Sequence, residues 1–211
     1  MKNNIIPFFT IFVSIFTSFL FYNELPVKMA SHWNAQGIVD GYSSRVFNVL
    51  FFPLLEIFLF LLLTYVPKLD PKKKNIKLFE SNYSLFISIM MIFMYLVQLQ
   101  VFLWNIDIKV PIETSMPILM GILFIFVAHL IQSAKQNYTI GIRTPWTLAS
   151  EKVWDKTHAL GAKLFRVGGI LTILSSLIPK YSFISIFAFI LAPSIYLFIY
   201  SYLEFKKEIK E

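Results

Sequence analysis

Three groups of side chains in this 211-residue chain have the types and spacing to do chemistry. In the first, His32, Trp33 and Asn34 stand close before Gly37, Asp40 and Gly41, so an imidazole, a carboxamide and a carboxylate could converge on a cation or another ligand. The same residues also suit a turn in which Asn34 and Asp40 bond backbone amides, His32 and Trp33 brace the fold, and both glycines take positive φ. One histidine and one aspartate are few for a metal, and neither a metal nor a cofactor is expected. In the second group, Gly141, Arg143, Thr144, Pro145, Trp146, Thr147 and Leu148 are followed by Trp154, Thr157 and His158. Pro145 holds Thr144 extended, Ser150 before Glu151 reads as a helix start, and Trp154 and His158, four apart, fall on one helical face. Arg143, Trp146, Trp154 and His158 have the arginine-plus-aromatic make-up of an interaction surface. Alternatively, the tryptophans sit among lipid headgroups and Arg143 pairs with phosphate. The third group is Glu56 and His129, each inside an apolar run where an ionised group is costly. If they met across a bundle they would form a proton relay or a ligand contact; otherwise they are polar glue between helices, with Gln98 and Gln100 as further candidate partners.

The elements that carry these groups follow from composition. The chain is 57% hydrophobic and only 15% charged, with a mean hydropathy of +0.67, whereas soluble domains carry about 25% charged residues. So few polar groups cannot cover a water-facing exterior, and lipid is the expected surroundings. Apolar runs lie at 5–22, 46–66, 83–104, 116–134, 164–178 and 183–203. The first is too long for a signal-peptide core and lacks a small-residue cleavage site, so it reads as a retained helix. The fifth is short and contains Gly168 and Gly169, so its helix is expected to start earlier, in the preceding loop. Lipid leaves no partner for an unpaired backbone group, which favours helices here. The expected fold is all-α: a polytopic integral membrane bundle of six transmembrane helices. Residues 1–66 form an N-terminal hairpin, and residues 67–211 a four-helix region with a polar loop at 135–163.

With six crossings, all 19 basic residues except Lys28, Arg45, Lys109 and Lys180 fall on one side, together with both termini and Lys2. The positive-inside rule makes that side cytoplasmic, so the loop 135–163 lies inside and the His32 loop outside, in a multi-pass cell-membrane protein. The formal +7 charge is thereby explained by the anionic inner leaflet, with membrane lipids as partners and no direct nucleic-acid contact expected. The absence of cysteine excludes disulfides and thiolate chemistry. No HExxH, P-loop or GxSxG motif is present, and no enzymatic activity is expected.

The pair of segments His-Trp-Asn-x-x-Gly-x-x-Asp-Gly-Tyr and Gly-x-Arg-Thr-Pro-Trp-Thr-Leu, the latter followed by Glu-x-x-Trp-x-x-Thr-His, resembles the SdpI family of bacterial membrane immunity proteins. The likeness covers nearly the whole chain: an N-terminal module of unknown function with the His-Trp-Asn motif, then the SdpI region. It implies protection from a secreted toxic peptide of the sporulation-delaying kind. It also implies, as in the type member, signalling by holding a cytosolic transcriptional repressor at the membrane. By position, the outer motif is His32, Trp33, Asn34, Gly37, Asp40 and Gly41, facing toxin or shaping the loop. The inner motif, docking a regulator or shaping its own loop, is Gly141, Arg143, Thr144, Pro145, Trp146, Thr147, Leu148, Trp154, Thr157 and His158. The alternative function is a small-substrate or proton-coupled transporter built on Glu56 and His129.

Overall fold

A computed structural model describes residues 5–210; Lys2 lies outside them. Helix α1 (Ile5–Phe21) shows which solvent the fold is built for. Its buried positions, Pro7, Thr10, Ile11, Ser14, Thr17 and Ser18, recur at helical spacing and include four hydroxyls. Phe8, Phe12, Phe16 and Phe19 point outward. A helix with small polar residues inside and phenylalanines outside is inverted relative to one that packs in water, and suits hydrocarbon surroundings.

After α1, strands β1 (Lys28–Trp33) and β2 (Val39–Ser44) form an antiparallel hairpin. This departs from the all-α expectation. Asn34 supplies the reason: its backbone N–H donates to the carbonyl of Ile38 at 2.9 Å, and its side-chain oxygen accepts from the N–H groups of Gln36 and Ile38, both at 3.0 Å. That closes a tight turn and lets the flanking segments pair. Gly37 adopts φ +74° there, but Gly41 does not have a positive φ. Gly41 instead lies opposite His32, where an added Cβ would come within 2.7 Å of the His32 Cβ.

Helix α2 (Arg45–Tyr65) is capped by Ser44 and runs into a 3-10 turn, Val66–Leu69. A short α3 (Lys73–Lys77) leads to α4 (Glu80–Asn105), then α5 (Ile112–Ser133), α6 (Pro145–Ala149) and α7 (Glu151–Ser175). The last element bends: α8 (Pro179–Ile186) passes through a π-helical turn, Phe187–Leu191, into α9 (Ala192–Glu208). Among the described residues, four helical stretches are long and apolar enough to cross a membrane: Arg45–Leu69, Glu80–Asn105, Ile112–Ser133 and Pro179–Glu208. Helix α1 is apolar but only 17 residues long, and α7 carries Lys152, Lys156, Lys163 and Arg166 in its first five turns. Those two features keep them outside the long apolar class.

Polar contacts bind the bundle internally. Ser14 donates to Oε1 of Gln98 at 2.6 Å, and Nε2 of Gln98 donates to Ser18 at 2.8 Å, joining α1 to α4. Helices α5 and α7 pack backbone to backbone: a Cβ on Gly121 would come within 2.5 Å of the Gly169 carbonyl oxygen, and one on Gly169 within 2.6 Å of the Gly121 oxygen. Small residues at such crossings admit close approach, and dispersion then replaces the hydrophobic drive that lipid does not supply.

Candidate functional site

The two motifs lie at opposite ends of the bundle. At the hairpin end, Asn105 at the last turn of α4 accepts from the Ala30 N–H at 2.7 Å and donates to the Ala30 carbonyl at 2.9 Å. Arg45 donates to the carbonyls of Tyr22 and Leu25 at 3.0 and 3.1 Å. Leu25 and Met29 are buried against Val49, Phe52, Val101 and Phe102. The hairpin is thus fixed to the helix ends as a rigid cover. Within it, His32 bonds Asp40 at 2.5 Å, while the Asn34 side chain is used by its own turn. The three do not converge on a shared point; Asp40 pairs with an imidazole, not with backbone amides. Trp33 stacks edge-on to Trp104, their centroids 5.6 Å apart, and its indole N–H is buried without an acceptor among the described residues.

At the other end, the loop between α5 and α7 is held from several directions. Asp70 accepts from the Tyr138 N–H at 2.9 Å and from the Thr139 hydroxyl at 2.6 Å. Gln136 donates to the carbonyls of Thr147 and Leu148 at 2.8 and 3.1 Å and also receives the Lys72 ammonium. Asn137 accepts from the N–H groups of Thr139 and Ile140 and donates to the Lys135 and Ile140 carbonyls. None of Asp70, Asn105, Gln136 and Asn137 stands out in the sequence, because each is an ordinary polar residue beside a helix end. Distant partners give Asp70, Asn105 and Gln136 their roles, whereas Asn137 closes its own local turn.

The inner motif itself is largely inside this frame. Thr144, extended at φ −107° and ψ 162°, caps α6 with Pro145 at its first position, and a reciprocal box links it to Thr147. Its hydroxyl also lies 2.9 Å from that of Ser201 on α9. Ser150 caps α7 by accepting from the Val153 N–H and donates its hydroxyl to Glu208 at 2.7 Å. Trp154 is fully buried and donates its indole N–H to the Ala134 carbonyl at 2.8 Å. His158 stacks on it, ring centroids 3.9 Å apart. The Nδ1 of His158 lies 2.8 Å from the Trp154 carbonyl and so carries the proton; Nε2 accepts from the Ile142 N–H at 3.0 Å. Gly141, at φ +121°, passes so close that a Cβ would lie 2.5 Å from that Nε2. Thr157 is buried and Leu148 half-buried. Of the four residues expected to form a surface, Trp154 and His158 are enclosed. Trp146 is half-buried against Phe198 and Tyr202, and Arg143 alone is exposed.

Burial pushes His158 down to about 4 from its ordinary 6.5, outweighing the Trp154 carbonyl and the Asp155 charge, which favour protonation. The residue lies in the polar first half of α7, before its apolar stretch. Because the unfolded chain binds the proton more tightly, the neutral ring contributes stability above pH 6.5 that is lost as pH falls toward 4. The loss reaches about 3 kcal/mol. A melting temperature that declines across that window in the parent, and less steeply in His158→Gln, is the expected result; parallel declines would contradict it.

The intramembrane pair does not form. Glu56 is fully buried in α2 beside Ser14, without a hydrogen bond of good geometry. His129 lies on the exposed side of α5, next in sequence to the buried Ala128 and Leu130. Gln98 is taken by Ser14 and Ser18, and both amide atoms of Gln100 are buried without partners among the described residues. The geometry therefore removes the proton relay that the transport alternative required.

Comparison with known proteins finds matches over both motif-bearing segments. Residues 133–201 match the SdpI/YfhL protein family, and residues 9–57 match a domain of unknown function (DUF1648). Over 210 residues, covering 98% of each chain, the sequence is 29% identical to the immunity protein SdpI of Bacillus subtilis (strain 168). No solved structure matches the chain.

Proposed function

We propose, from the premise that this chain is a multi-pass cell-membrane protein of the SdpI family, that it confers immunity to a secreted toxic peptide of the sporulation-delaying type. The observation that carries the reading is end-to-end similarity to an immunity protein, across both motif-bearing segments. Six crossings with both termini in the cytoplasm would place the hairpin outside, where a secreted peptide arrives, and the basic end against the anionic inner leaflet. The same likeness supports a non-enzymatic role.

The inner loop is proposed to hold a cytosolic repressor at the membrane. Its accessible face would be the exposed Arg143 with the half-buried Trp146. Arg143 spends one N–H on the Tyr138 carbonyl at 2.7 Å, leaving other donors of its guanidinium for a partner carboxylate. Cells sensitive to the peptide should survive when they express the chain, and Arg143→Ala should leave survival unchanged while moving the repressor from membrane to cytosol. Survival no better than in cells lacking the chain would defeat the immunity reading; unchanged fractionation in both Arg143→Ala and Trp146→Ala would defeat the docking face.

A further inference from the structure

We infer that the cavity beneath the hairpin is a binding site for an apolar peptide segment that carries a cationic group. This inference deepens the immunity reading and rests on it for the identity of the natural peptide. The cavity, of about 430 Å³, lies between the hairpin, α4, α5 and α8, which is within the size range of pockets that take small ligands or a few side chains. Its walls are mostly apolar, with Val101, Met116, Met120, Phe183 and Phe187 among them.

Three polar groups line this apolar space, and each has unused capacity. Gln100 is 6% exposed, and neither its amide nitrogen nor its amide oxygen has a partner among the described residues. The indole N–H of Trp33 is likewise buried and unpaired. Glu113, in the first turn of α5, makes no ion pair with any described residue. Its carboxylate packs beneath Gly37, where a Cβ would collide with it. Buried donors and acceptors left unpaired are unfavourable, and a ligand that draws the enclosed Gln100 and Trp33 groups into the cavity by a side-chain rotation recovers that loss.

The chemistry of the three selects the occupant. A carboxamide offers one donor and one acceptor side by side, matching the C=O and N–H of a peptide backbone, and an indole N–H adds a donor for a second carbonyl. A carboxylate without a cation calls for a lysine, an arginine or an amino terminus. A lipid acyl chain would fill the apolar volume but satisfy none of the three. The outer motif then has a use: the Asn34 turn and the His32–Asp40 pair hold the hairpin over the cavity, so that Gly37 forms part of its rim and Trp33 is placed where its indole N–H serves the site.

Because the chain has no cysteine, occupancy can be read at one introduced thiol. The full chain carrying Met116→Cys is placed in phosphatidylcholine vesicles and its rate of modification by a small thiol reagent is measured. Two probes are added in turn: a short leucine–alanine peptide bearing one lysine, and the same peptide with norleucine in place of lysine. A short-chain phosphatidylglycerol serves as the third. The lysine peptide should slow modification at concentrations about tenfold lower than the norleucine peptide, and the phospholipid should do so least. Glu113→Gln should erase the difference between the peptides, and Gln100→Leu should weaken both alike while raising the melting temperature. Equal protection by all three probes, unaltered by either variant, would show a lipid-filled groove and overturn the inference, as would no protection by either peptide. Should Gln100→Leu fail to accumulate, the half-buried Glu113→Gln still decides.

Survival of peptide-sensitive cells separates the two claims. Protection of the thiol without survival leaves the cavity standing and sinks the immunity reading. Survival that is equal in the parent, Glu113→Gln and Gln100→Leu leaves immunity standing and sinks the cavity as its site.

Discussion

Gly169→Leu will eliminate the folded protein. A leucine at this position places its Cβ 2.6 Å from the Gly121 carbonyl oxygen and 2.9 Å from the Ile125 side chain, before the rest of the side chain is counted. The obstacle is backbone on both helices, so no rotamer change relieves it, and α5 and α7 must separate along their crossing. Overpacking typically costs 1–3 kcal/mol where side chains can shift. Here, with rigid backbone opposite, the loss should exceed about 3 kcal/mol, a large share of the marginal stability of a folded domain. Helix separation would also withdraw the loop between them, which Trp154 ties to Ala134 at the end of α5. The measurement is recovery of monodisperse protein from mild detergent. Gly169→Ala, with one added carbon, should fall between the parent and leucine; a leucine variant that melts with the parent would refute the close crossing.

Trp154→Ala should cost about 3–5 kcal/mol, the range for removing a large aromatic side chain from a core. Trp154 is wholly enclosed, donates to the Ala134 carbonyl, and covers the His158 ring. The substitution opens a void, leaves that carbonyl short of a donor and exposes one face of the imidazole. Arg143→Ala should change stability by less than about 1 kcal/mol, because the side chain is exposed and its hydrogen bond is to a loop carbonyl. Thermal melting followed by size exclusion separates the two cases. This contrast distinguishes scaffold from surface within a single motif: if Trp154→Ala melts with the parent, the tryptophan is not the core of the loop. Loss of immunity in Trp154→Ala would report unfolding, whereas loss of repressor recruitment in Arg143→Ala would report a missing contact.

Several features of this arrangement are written locally in the chain. Pro145 and Ser150 mark the starts of α6 and α7 because a fixed φ and a capping hydroxyl act within three residues of themselves. Trp154 and His158 share a face because four residues make about one helical turn. The weak fifth apolar run belongs to a longer helix, as its length suggests. By contrast, Gly41 looks like a turn glycine and is a strand residue needed for clearance, since the distinction depends on what lies across the hairpin. His129 and Glu56 look like partners because both are ionisable and intramembrane. Which way each points depends on helix rotation, and the apolar character of α5 on all sides leaves that rotation unmarked.

The sequence by itself determined the solvent of this protein, its long apolar helices, the basic end and the two motif-bearing loops, because hydropathy, charge count and short-range stereochemistry are summed along the chain. Only the tertiary structure decided that the inner motif is mostly enclosed, that Asp70, Asn105 and Gln136 hold the two ends together, and that Gln100, Trp33 and Glu113 line one cavity. Those relations join residues as much as 80 positions apart, as Trp33 and Glu113 are, and a contact across such a separation is set by how helices rotate and cross, which no local pattern encodes.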